Sequence, residues 1–382
     1  MDVYLDNAAT TKIDKKALEC ISETYNSCYG NPSSIHKMGY DSEKIFKKNL
    51  ELIGKQINSK ARNILITSGG TESNNTALWQ IKKLKNKKVL TSRLEHPSIL
   101  KYCEFLKNTE KVNCEFYRVN PLGKIDLEDL KEKISKNVGM ITLPYVNSEV
   151  GLIQDIKRIA DFIKNVNKNI LIHVDGVQAF GKIKTNVDEL NIDFMSFSSH
   201  KIHGPKGIGG LYIKRPEKFI PLMYGGGQQN KLRSGTEDIP STAAFGKACQ
   251  IAHEILDDEF HRITSINKKY RDLLKNNIKD IRFNSEVENS SPYILNLSIK
   301  DIKSEVLIHF LEMDEIYISA GTACSSNSKD ISPAYEELKI DKDYIEGTVR
   351  ISFGRFCSMD DAELVVEKMS KYTKDIRKMV RS

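Results

Sequence analysis

The chain has 382 residues, of which 58 are basic and 51 acidic, so its formal net charge is +7. The basic surplus is spread along the sequence, without the basic block that marks a nucleic-acid-binding arm, and we expect no direct nucleic-acid binding. Seven cysteines without a Cys-x-x-Cys pair argue against a disulfide framework and a thiolate metal site. No segment approaches about 18 uninterrupted apolar residues, and the first residues lack a leader pattern. We therefore expect a cytoplasmic protein without a metal and without membrane association.

Strand and helix patterns alternate through the first two thirds of the chain. The first twelve residues look extended, and helical patterns follow from Lys15 to about Tyr25 and from about Ile35 to Ile57. Apolar segments typical of buried strands are ILIT (64–67), VLTS (89–92), CEFYRV (114–119), VGMITL (138–143), ILIHVD (170–175), FMSFSS (194–199) and IGGLYI (208–213). Such strands separated by helices predict an α/β fold, in which a mostly parallel sheet is covered by helices on both faces.

The alternation stops near residue 240. A long helical pattern from about Pro240 to Asn277 is typical of a connector between two units. After it come the strand YILNLSI (293–299), a helix, the strand EIYIS, a glycine- and serine-rich loop, the strand TVRISF and a final helix (360–380). This order predicts a smaller α+β unit.

A chain of this length exceeds what one hydrophobic core usually covers. We predict a large cofactor-binding domain of residues 14–255. Residues 1–13 and 256–382 form the smaller domain, which carries a loop at about 319–334.

The segment SFSSHKIHGPKG (196–207) presents Lys201 at the end of an apolar strand. Ligands of an open α/β sheet bind beyond the carboxyl ends of its strands. Burial there would lower the pKa of the Lys201 amine, as Schiff-base chemistry requires. The alternative is one of many solvated lysines in a basic chain, and the local pattern does not decide between the two.

Two further strand ends carry groups that suit a charged ligand. Asp175 ends ILIHVD, where a buried carboxylate needs a partner. Gly69, Gly70 and Thr71 lead from ILIT into a helix, whose free N–H groups and positive dipole end suit a phosphate. An ordinary helix cap is the commoner role of such a sequence.

Three polar residues follow strand ends as well. His96 lies in a Glu-His-Pro turn, Asn147 follows VGMITLP, and Gln178 comes three residues after Asp175. His96 and Asn147 could equally be an ordinary loop histidine and a turn asparagine. Together, the lysine, the carboxylate and the helix start meet the needs of pyridoxal 5'-phosphate: a Schiff-base amine, a partner for the pyridine nitrogen and a phosphate site.

Ten motifs, in order along the whole chain, resemble those of cysteine desulfurases of the NifS/IscS type, within the class V aminotransferase family of fold type I pyridoxal-phosphate enzymes. The motifs are YLDNAATT, YGNPSSIHKMG, ITSGGTESNN, SRLEHPSIL, VNSEVGLIQDI, HVDGVQAFGK, SFSSHKIHGPKG, RSGTED, SAGTACSS and VRISFGRF. The resemblance implies that the protein removes sulfur from L-cysteine, releases L-alanine, and passes the sulfur on for iron–sulfur cluster, thio-cofactor or tRNA synthesis.

The resemblance also implies roles for residues around the cofactor ring. Lys201 binds the cofactor and moves protons on the substrate. Asp175 pairs with the pyridinium nitrogen, Gln178 reaches the phenolic oxygen of the ring, and His96 stacks on the ring and assists proton transfer.

The same resemblance also implies which residues bind the phosphate and the substrate. Gly70, Thr71, Ser198 and His200 would hold the phosphate, and Thr236 would reach it from the other subunit of a homodimer. The residues implied to fix the substrate are Asn147 and Arg350, the latter through a bidentate contact with the substrate carboxylate.

Cys324 is the second reactive group that the resemblance implies. It lies in SAGTACSSNSKDISP, whose small residues predict a mobile loop that could carry sulfur out of a cleft as a persulfide. The alternative, a buried small hydrophobe, suits Cys103, Cys114 and Cys249 better than a cysteine in a polar loop. The loop length resembles the longer-loop group of the family.

Three positions depart from the commonest family pattern. Ser199 replaces a glycine and Ser148 replaces an asparagine, and neither change affects the implied roles. Cys357 stands where Thr or Asn is usual and adds a thiol near Arg350, either buried or able to exchange sulfur with Cys324.

Two other functions remain compatible with the sequence. A class V aminotransferase, or a related lyase such as a selenocysteine lyase, would need Lys201 but no loop cysteine. A non-enzymatic scaffold for a sulfur-accepting partner would need no cofactor at all. If the protein is a desulfurase, the acceptor is a protein such as an iron–sulfur scaffold or a tRNA-thiolation enzyme, and the sequence does not say which.

Overall fold

The structure is a computed structural model that describes residues 2–321 and 332–381. The strands in this part of the chain are β1 Val3–Tyr4, β2 Ile64–Thr67, β3 Lys88–Thr91, β4 Asn113–Phe116, β5 Val138–Pro144, β6 Leu171–Asp175, β7 Phe194–Ser198, β8 Gly209–Ile213, β9 Ile281–Phe283, β10 Ile294–Ile299, β11 Ile316–Tyr317, β12 Ser319–Ala320 and β13 Thr348–Ser352. The helices are α1 Lys15–Ser27, α2 Lys37–Lys55, α3 Gly70–Trp79, α4 Pro97–Glu110, α5 Leu127–Lys133, α6 Ile156–Val166, α7 Val187–Leu190, α8 Ile239–Glu254, α9 Leu256–Asn277, α10 Ser304–Glu312, α11 Pro333–Glu337, α12 Lys342–Ile345 and α13 Asp361–Arg381.

A seven-stranded sheet with the order β2-β8-β7-β6-β5-β3-β4 forms the centre of the molecule. Strands β3 to β7 run parallel, and β8 is antiparallel to both β2 and β7. The predicted α/β fold with a mostly parallel sheet is confirmed. The antiparallel β8 was not predicted; it returns directly from β7 through a short glycine-rich turn, so no crossover helix separates the two strands.

Successive residues of the central strands pack into two different cores. Val89 and Met140 belong to the core beneath α3 and α4, whereas Leu90 and Ile141 belong to the core beneath α2, α6 and α8. This alternation follows from the two-residue period of a strand. Because both faces are covered, these strands carry almost uninterrupted apolar sequence.

Helix α6 shows why the covering helices form where they do. The side chain of Asp155 accepts a hydrogen bond from the backbone N–H of Arg158 and so caps the first turn. The buried residues recur at helical spacing on one face: Ile156, Ile159, Ala160 and Ile163.

A second sheet, with the order β12-β13-β10-β9, is antiparallel, and β1 pairs with β11 in a separate parallel pair. The hydrophobic core beside the second sheet contains Val3 and Leu5 together with residues from α9, α10 and α13. The predicted domain boundaries themselves stay a prediction.

The helical connector differs from the sequence prediction in one respect. It is two helices, α8 and α9, separated at Ile255, where φ is −110° and ψ is 9°. Helix α8 packs on the large-sheet core and α9 on the small-sheet core, so the chain changes direction between them. Within the described ranges, no helix is long and apolar enough to cross a membrane.

The segment after β1 ties the two sheets together. Asp6 pairs with Ser352 of β13, and the backbone N–H of Ser352 donates to the carbonyl of Leu5 at 2.7 Å. A few residues later, Thr11 donates from its backbone N–H and its hydroxyl to the carbonyl of His200, at 3.0 and 2.9 Å. One short stretch therefore holds the end of β7 beside the small sheet.

A close backbone contact places the start of α3 beside β8. A Cβ added to Gly209 would lie 2.6 Å from the carbonyl oxygen of Phe197 and 2.7 Å from the Cα of Gly69. Gly69 itself has a φ of +151°, which side chains with a Cβ rarely adopt. Glycine at both positions lets the first turn of α3 approach the end of β7.

This contact predicts that Gly209→Ala destabilises the protein, by about 1–3 kcal/mol, because the backbone atoms around the new Cβ have little freedom to move. Gly207→Ala is a matched comparison, since Gly207 has a φ of +77° but nothing within 4 Å of its would-be Cβ. Gly207→Ala should lower the free energy of unfolding by only about 1 kcal/mol, because it changes backbone conformational freedom without a steric clash. Thermal unfolding of both variants checks this. A smaller loss for Gly209→Ala than for Gly207→Ala would contradict the packing argument.

Candidate active site

A cavity of about 410 Å³ lies where the carboxyl ends of β5, β6 and β7 meet the N-terminal segment and the small sheet. Its wall contains most of the residues singled out from the sequence: Gly70, Thr71, His96, Asn147, Asp175, Gln178, Ser198, His200, Lys201 and Arg350. Residues that are up to 280 positions apart (350 − 70 = 280) are thus brought to one place. The cavity lies at the sheet edge where the sequence predicted a ligand site.

Lys201 ends a single short turn, Ser199–Lys201, that follows β7 directly. Its Nζ donates to the carbonyl oxygens of Ala8 and Ala9, each at 2.6 Å. Loss of solvation, together with the nearby charge of Arg350, lowers the pKa of this amine to about 8. Lys201 is therefore a half-buried amine that can lose its proton near neutral pH, unlike a solvated lysine.

Asp175 is held by two donors at the end of β6. Its Oδ2 accepts from Nδ2 of Asn74 at 2.9 Å, and its Oδ1 accepts from the backbone N–H of Val177 at 3.0 Å. The same Asn74 amide donates to Oγ of Ser98 at 2.9 Å. A carboxylate fixed in this way still has lone pairs for a cationic N–H from the cavity.

The start of α3 forms a recess for an anion. Gly69, at the N-cap, supplies no capping side chain, and a Cβ on Gly70 would lie 2.8 Å from Cγ2 of Val177. Across the recess, the buried hydroxyl of Ser198 has no hydrogen-bond partner within the described part of the chain. Free helix N–H groups and an unpartnered hydroxyl suit a phosphate ester.

His200 and His96 enter the cavity wall as neutral imidazoles. Burial lowers the pKa of His200 to about 4, and its Nδ1 lies 3.1 Å from the hydroxyl of Thr10. Burial also lowers the pKa of His96. His96 is the N-cap of α4, where its Nδ1 accepts from the backbone N–H of Ser98 at 3.1 Å. This cap fixes the direction of the His96 ring.

Asn147 is both a turn residue and a cavity residue. Its Nδ2 donates to the carbonyl of Leu94 at 2.9 Å, while its Oδ1 accepts from the backbone N–H groups of Glu149 and Val150 at 2.9 and 2.8 Å. The amide oxygen is thus engaged in the turn. One hydrogen of Nδ2 is left for a substrate.

Arg350 lies in β13 of the small sheet and reaches the cavity from the side opposite the helix start. Its Nη2 pairs with Oδ1 of Asp6 at 2.8 Å, and its Nη1 donates to the carbonyl of Ser148 at 3.0 Å. Its buried Nε has no acceptor among the described residues. These contacts hold the guanidinium in place, and donors remain for an incoming carboxylate.

Sequence reasoning missed four polar residues that shape the site: Asp6, Asn74, Glu95 and Ser98. Asn74 could have been found from helical spacing, because it lies four positions after Gly70 on the same face of α3. Asp6 had no such signal, since its contact with Arg350 depends on how the N-terminal segment crosses between the two sheets.

Glu95 is a buried acid in the cavity wall. It is 4% exposed, and neither of its carboxyl oxygens has a hydrogen-bond partner in the described ranges. Burial raises its pKa well above the ordinary value, and the charge of Asp175 adds to this rise. Glu95 is therefore a neutral acid at physiological pH.

One of the sequence-predicted residues that the structure describes does not line the cavity. Thr236 is exposed and lies outside it, so its action across a subunit interface stays a prediction. Cys324 lies outside the described residues.

Cys357 is buried, which answers the question that the sequence left open. Its Sγ lies 3.3 Å from the backbone N–H of Gly354 and 3.6 Å from Nδ2 of Asn7, and it donates to the carbonyl of Tyr4 at 3.5 Å. Burial raises its pKa to about 11. A thiol held in this way is a packing residue rather than a sulfur carrier.

The family model of class V aminotransferases matches residues 3–365 of the chain. The chain belongs to the class V aminotransferase family. Its relatives include a cysteine desulfurase IscS of Dictyoglomus turgidum, 33% identical over 98% of this chain and 95% of that protein, and a mitosomal cysteine desulfurase of Encephalitozoon cuniculi, 33% identical over 99% and 88%. A solved NifS-like protein superposes with a TM-score of 0.91 at 30% identity, covering 98% of this chain and all of that one.

The family, the fold of the pyridoxal-phosphate enzymes and dependence on that cofactor are confirmed. The residues present fit pyridoxal phosphate independently of these comparisons. The unpartnered hydroxyl of Ser198 and the glycine-lined start of α3 suit the phosphate group. The fixed carboxylate of Asp175 suits a pyridinium nitrogen, and Lys201 offers an amine of lowered pKa.

The neutral state of Glu95 predicts that Glu95→Gln becomes more stable relative to the wild type as pH rises. Above about pH 4.5 the unfolded wild-type chain loses the Glu95 proton that the folded protein keeps, so wild-type stability falls with pH and the variant escapes this loss. The difference in free energy of unfolding should grow by up to about 1.4 kcal/mol per pH unit.

Denaturant unfolding of the apoprotein between pH 5 and pH 8 measures this difference. Glu132→Gln, at an exposed position on α5, serves as the control and should show no such trend. A Glu95→Gln difference that stays constant over this range would mean that Glu95 is ionised in the folded protein.

Proposed function

We propose that this protein is a cysteine desulfurase that takes sulfur from L-cysteine, releases L-alanine and passes the sulfur to an acceptor. One observation carries the proposal: a half-buried lysine of lowered pKa, a fixed carboxylate and a phosphate recess line one cavity in a chain whose relatives over almost their full length bear the name cysteine desulfurase. A structure of a protein named SspA in complex with cysteine, 27% identical with a TM-score of 0.77, also supports a cysteine substrate.

Pyridoxal phosphate, when bound, supplies an aldehyde that condenses with amines and a protonated ring that draws electrons from the bonds at the substrate Cα. Asp175 favours the protonated ring nitrogen, because its carboxylate is fixed by Asn74 and Val177 at the end of β6. Ser198, His200 and the start of α3 would hold the phosphate. His96, whose orientation is set by Ser98, would contact the ring.

Lys201 both carries the cofactor and moves protons. Its pKa of about 8 means that the amine can accept and release a proton near neutral pH with little change in free energy. Its Nζ lies between the N-terminal segment and the cavity, within reach of a substrate held against Arg350.

The substrate is held through its carboxylate. Arg350 offers donors that Asp6 and Ser148 leave free, and Asn147 offers one amide hydrogen. The guanidinium is held in place before the substrate arrives, so little entropy is lost on binding.

Cys324 accepts the sulfur of the substrate and carries it away. The Cys324 thiolate attacks the sulfur of the bound cysteine, a sulfur–sulfur bond forms, and the carbon–sulfur bond breaks with its electron pair left on the substrate side. A proton then completes the methyl group of alanine. The overall change converts L-cysteine and the Cys324 thiol into L-alanine and a Cys324 persulfide, and no outside oxidant is needed.

The active unit is a homodimer in which Thr236 of one subunit reaches the phosphate held by the other. The exposure of several large apolar side chains on the single chain supports burial against a partner subunit: Leu18, Tyr25, Tyr29, Ile35, Tyr40 and Tyr224. The acceptor is a thiol-bearing protein, such as an iron–sulfur scaffold or a tRNA-thiolation enzyme, and the compartment is the cytoplasm.

The proposal predicts that Lys201→Ala and Cys324→Ala both abolish alanine release from L-cysteine, whereas Cys357→Ala retains it. Lys201→Ala removes the proton carrier, and Cys324→Ala removes the sulfur acceptor, so each loss should reach at least about 100-fold. Alanine and sulfide are measured with a reductant present.

Full alanine release by Cys324→Ala would instead favour an aminotransferase or a lyase that needs no cysteine. A colourless wild-type protein that fails to take up pyridoxal phosphate would favour the scaffold.

The lowered pKa of Lys201 makes a second prediction, about cofactor uptake. Only the neutral amine attacks the aldehyde, so uptake of pyridoxal phosphate by the apoprotein should quicken about tenfold per pH unit below pH 8 and level off above it. Stopped-flow absorbance from pH 6 to pH 9.5 gives this profile. A rate that keeps rising beyond pH 9.5 would show an amine of ordinary basicity.

A further inference from the structure

A second buried amine lies behind the active site. Lys182 comes four residues after Gln178 and is 6% exposed. Its Nζ donates to Oε1 of Gln178 at 3.1 Å and lies 5.6 Å from the centre of the Tyr293 ring. No carboxylate of the described residues forms an ion pair with it. A buried amine without a carboxylate partner is costly, so its presence calls for a reason.

Lys182 does not line the cofactor cavity. It lines a small neighbouring cavity of about 20 Å³, whose wall also contains Lys201. Both lysines therefore border a space that holds about one water molecule. Lys182 can influence the reaction only through its neighbours.

Gln178 is the first such neighbour. A lysine only donates hydrogen bonds, so the contact with Lys182 decides that the amide oxygen of Gln178 faces away from the cavity. The Nε2 end then donates to the carbonyl of Ala8 at 2.9 Å, which also accepts from Nζ of Lys201 at 2.6 Å. In this orientation, Gln178 offers a donor to an anionic ring oxygen of the cofactor.

The charge of Lys182 is the second way in which this residue can affect the active site. Burial, together with the charges of Lys201 and Arg350, lowers the pKa of Lys182 to about 7. Lys182 and Lys201 border the same small cavity, so a positive charge on Lys182 opposes a second positive charge on the nitrogen of Lys201.

The other charged or titratable groups near Lys182 do not change their charge near neutral pH. They are Arg350, His200, His203, Arg355, Glu259 and Tyr293. The two histidines are neutral, because burial lowers the pKa of each to about 4, and burial raises the pKa of Tyr293 above its ordinary range. The remaining three form ion pairs: Arg350 with Asp6, Arg355 with Asp14 and Glu259 with Arg262. Among these groups, Lys182 is therefore the neighbour of Lys201 that changes charge near neutral pH.

We propose that Lys182 is a positioning residue that turns the Gln178 amide donor toward the cofactor and disfavours protonation of the Lys201 nitrogen. The proposal rests on the proposed function only in that pyridoxal phosphate is bound at Lys201. It predicts separate consequences for the orientation of Gln178 and for the charge at position 182.

The test compares three holoenzymes: Lys182→Met, Lys182→Gln and Lys184→Met. Methionine removes both the donor and the charge, and glutamine keeps a donor without the charge. Lys184 is exposed and only two residues away, so its variant is the control. The visible absorption of the bound cofactor is recorded against pH, and kcat and KM for L-cysteine are measured in parallel.

Loss of the neighbouring positive charge should raise the spectral titration midpoint by about half a pH unit or more in both Lys182 variants. Lys184→Met should match the wild type. For Lys182→Met we expect kcat to fall about tenfold with little change in KM, and for Lys182→Gln a smaller fall.

Wild-type midpoints in both Lys182 variants, with the cofactor bound, would overturn the proposal. If Lys182→Met does not fold, the midpoint of Lys182→Gln decides. If neither the wild type nor the control produces alanine, the desulfurase function is contradicted. The spectral midpoints then still test the role of Lys182.

Discussion

The active site depends on the way that residues 6–11 cross from the small sheet to the large one. The carbonyls of Ala8 and Ala9 accept the hydrogen bonds of the Lys201 amine, while Asp6 holds the guanidinium of Arg350. Lys201 belongs to the large sheet and Arg350 to the small one. The distance between the cofactor-binding amine and the substrate-binding cation is therefore set by one short segment that both sheets hold in place.

Burial determines the charge of most groups in and around the cavity. The same loss of solvation keeps Glu95 and His200 neutral and lowers the pKa of Lys201 and Lys182 into the physiological range. Asp175 differs from these groups in that two hydrogen-bond donors satisfy its carboxylate. The protein thereby presents one carboxylate fixed by hydrogen bonds and two amines that can exchange protons, which is a suitable arrangement for shifting protons on a bound amino acid.

The sequence was sufficient for the parts of the structure that follow local patterns. Apolar segments located the central strands to within a few residues, and the sheet-edge rule located Asp175, Lys201 and the start of α3. The antiparallel direction of β8 and the break at Ile255 escaped prediction, because both depend on what the chain packs against rather than on periodicity. Glu95 and Lys182 escaped for the same reason: their importance comes from burial without an ion-pair partner among the described residues, which only the folded chain reveals.

Lys201 and Lys182 border one small cavity and have different proposed roles, so the most direct measurement determines which lysine carries the cofactor. Borohydride reduction of the holoenzyme, followed by proteolysis and mass spectrometry, fixes the cofactor to the lysine that holds it. The account predicts the pyridoxyl group on the peptide containing Lys201 and none on the peptide containing Lys182. A pyridoxyl group on Lys182 would contradict the assignment of the site and of its supporting residue together.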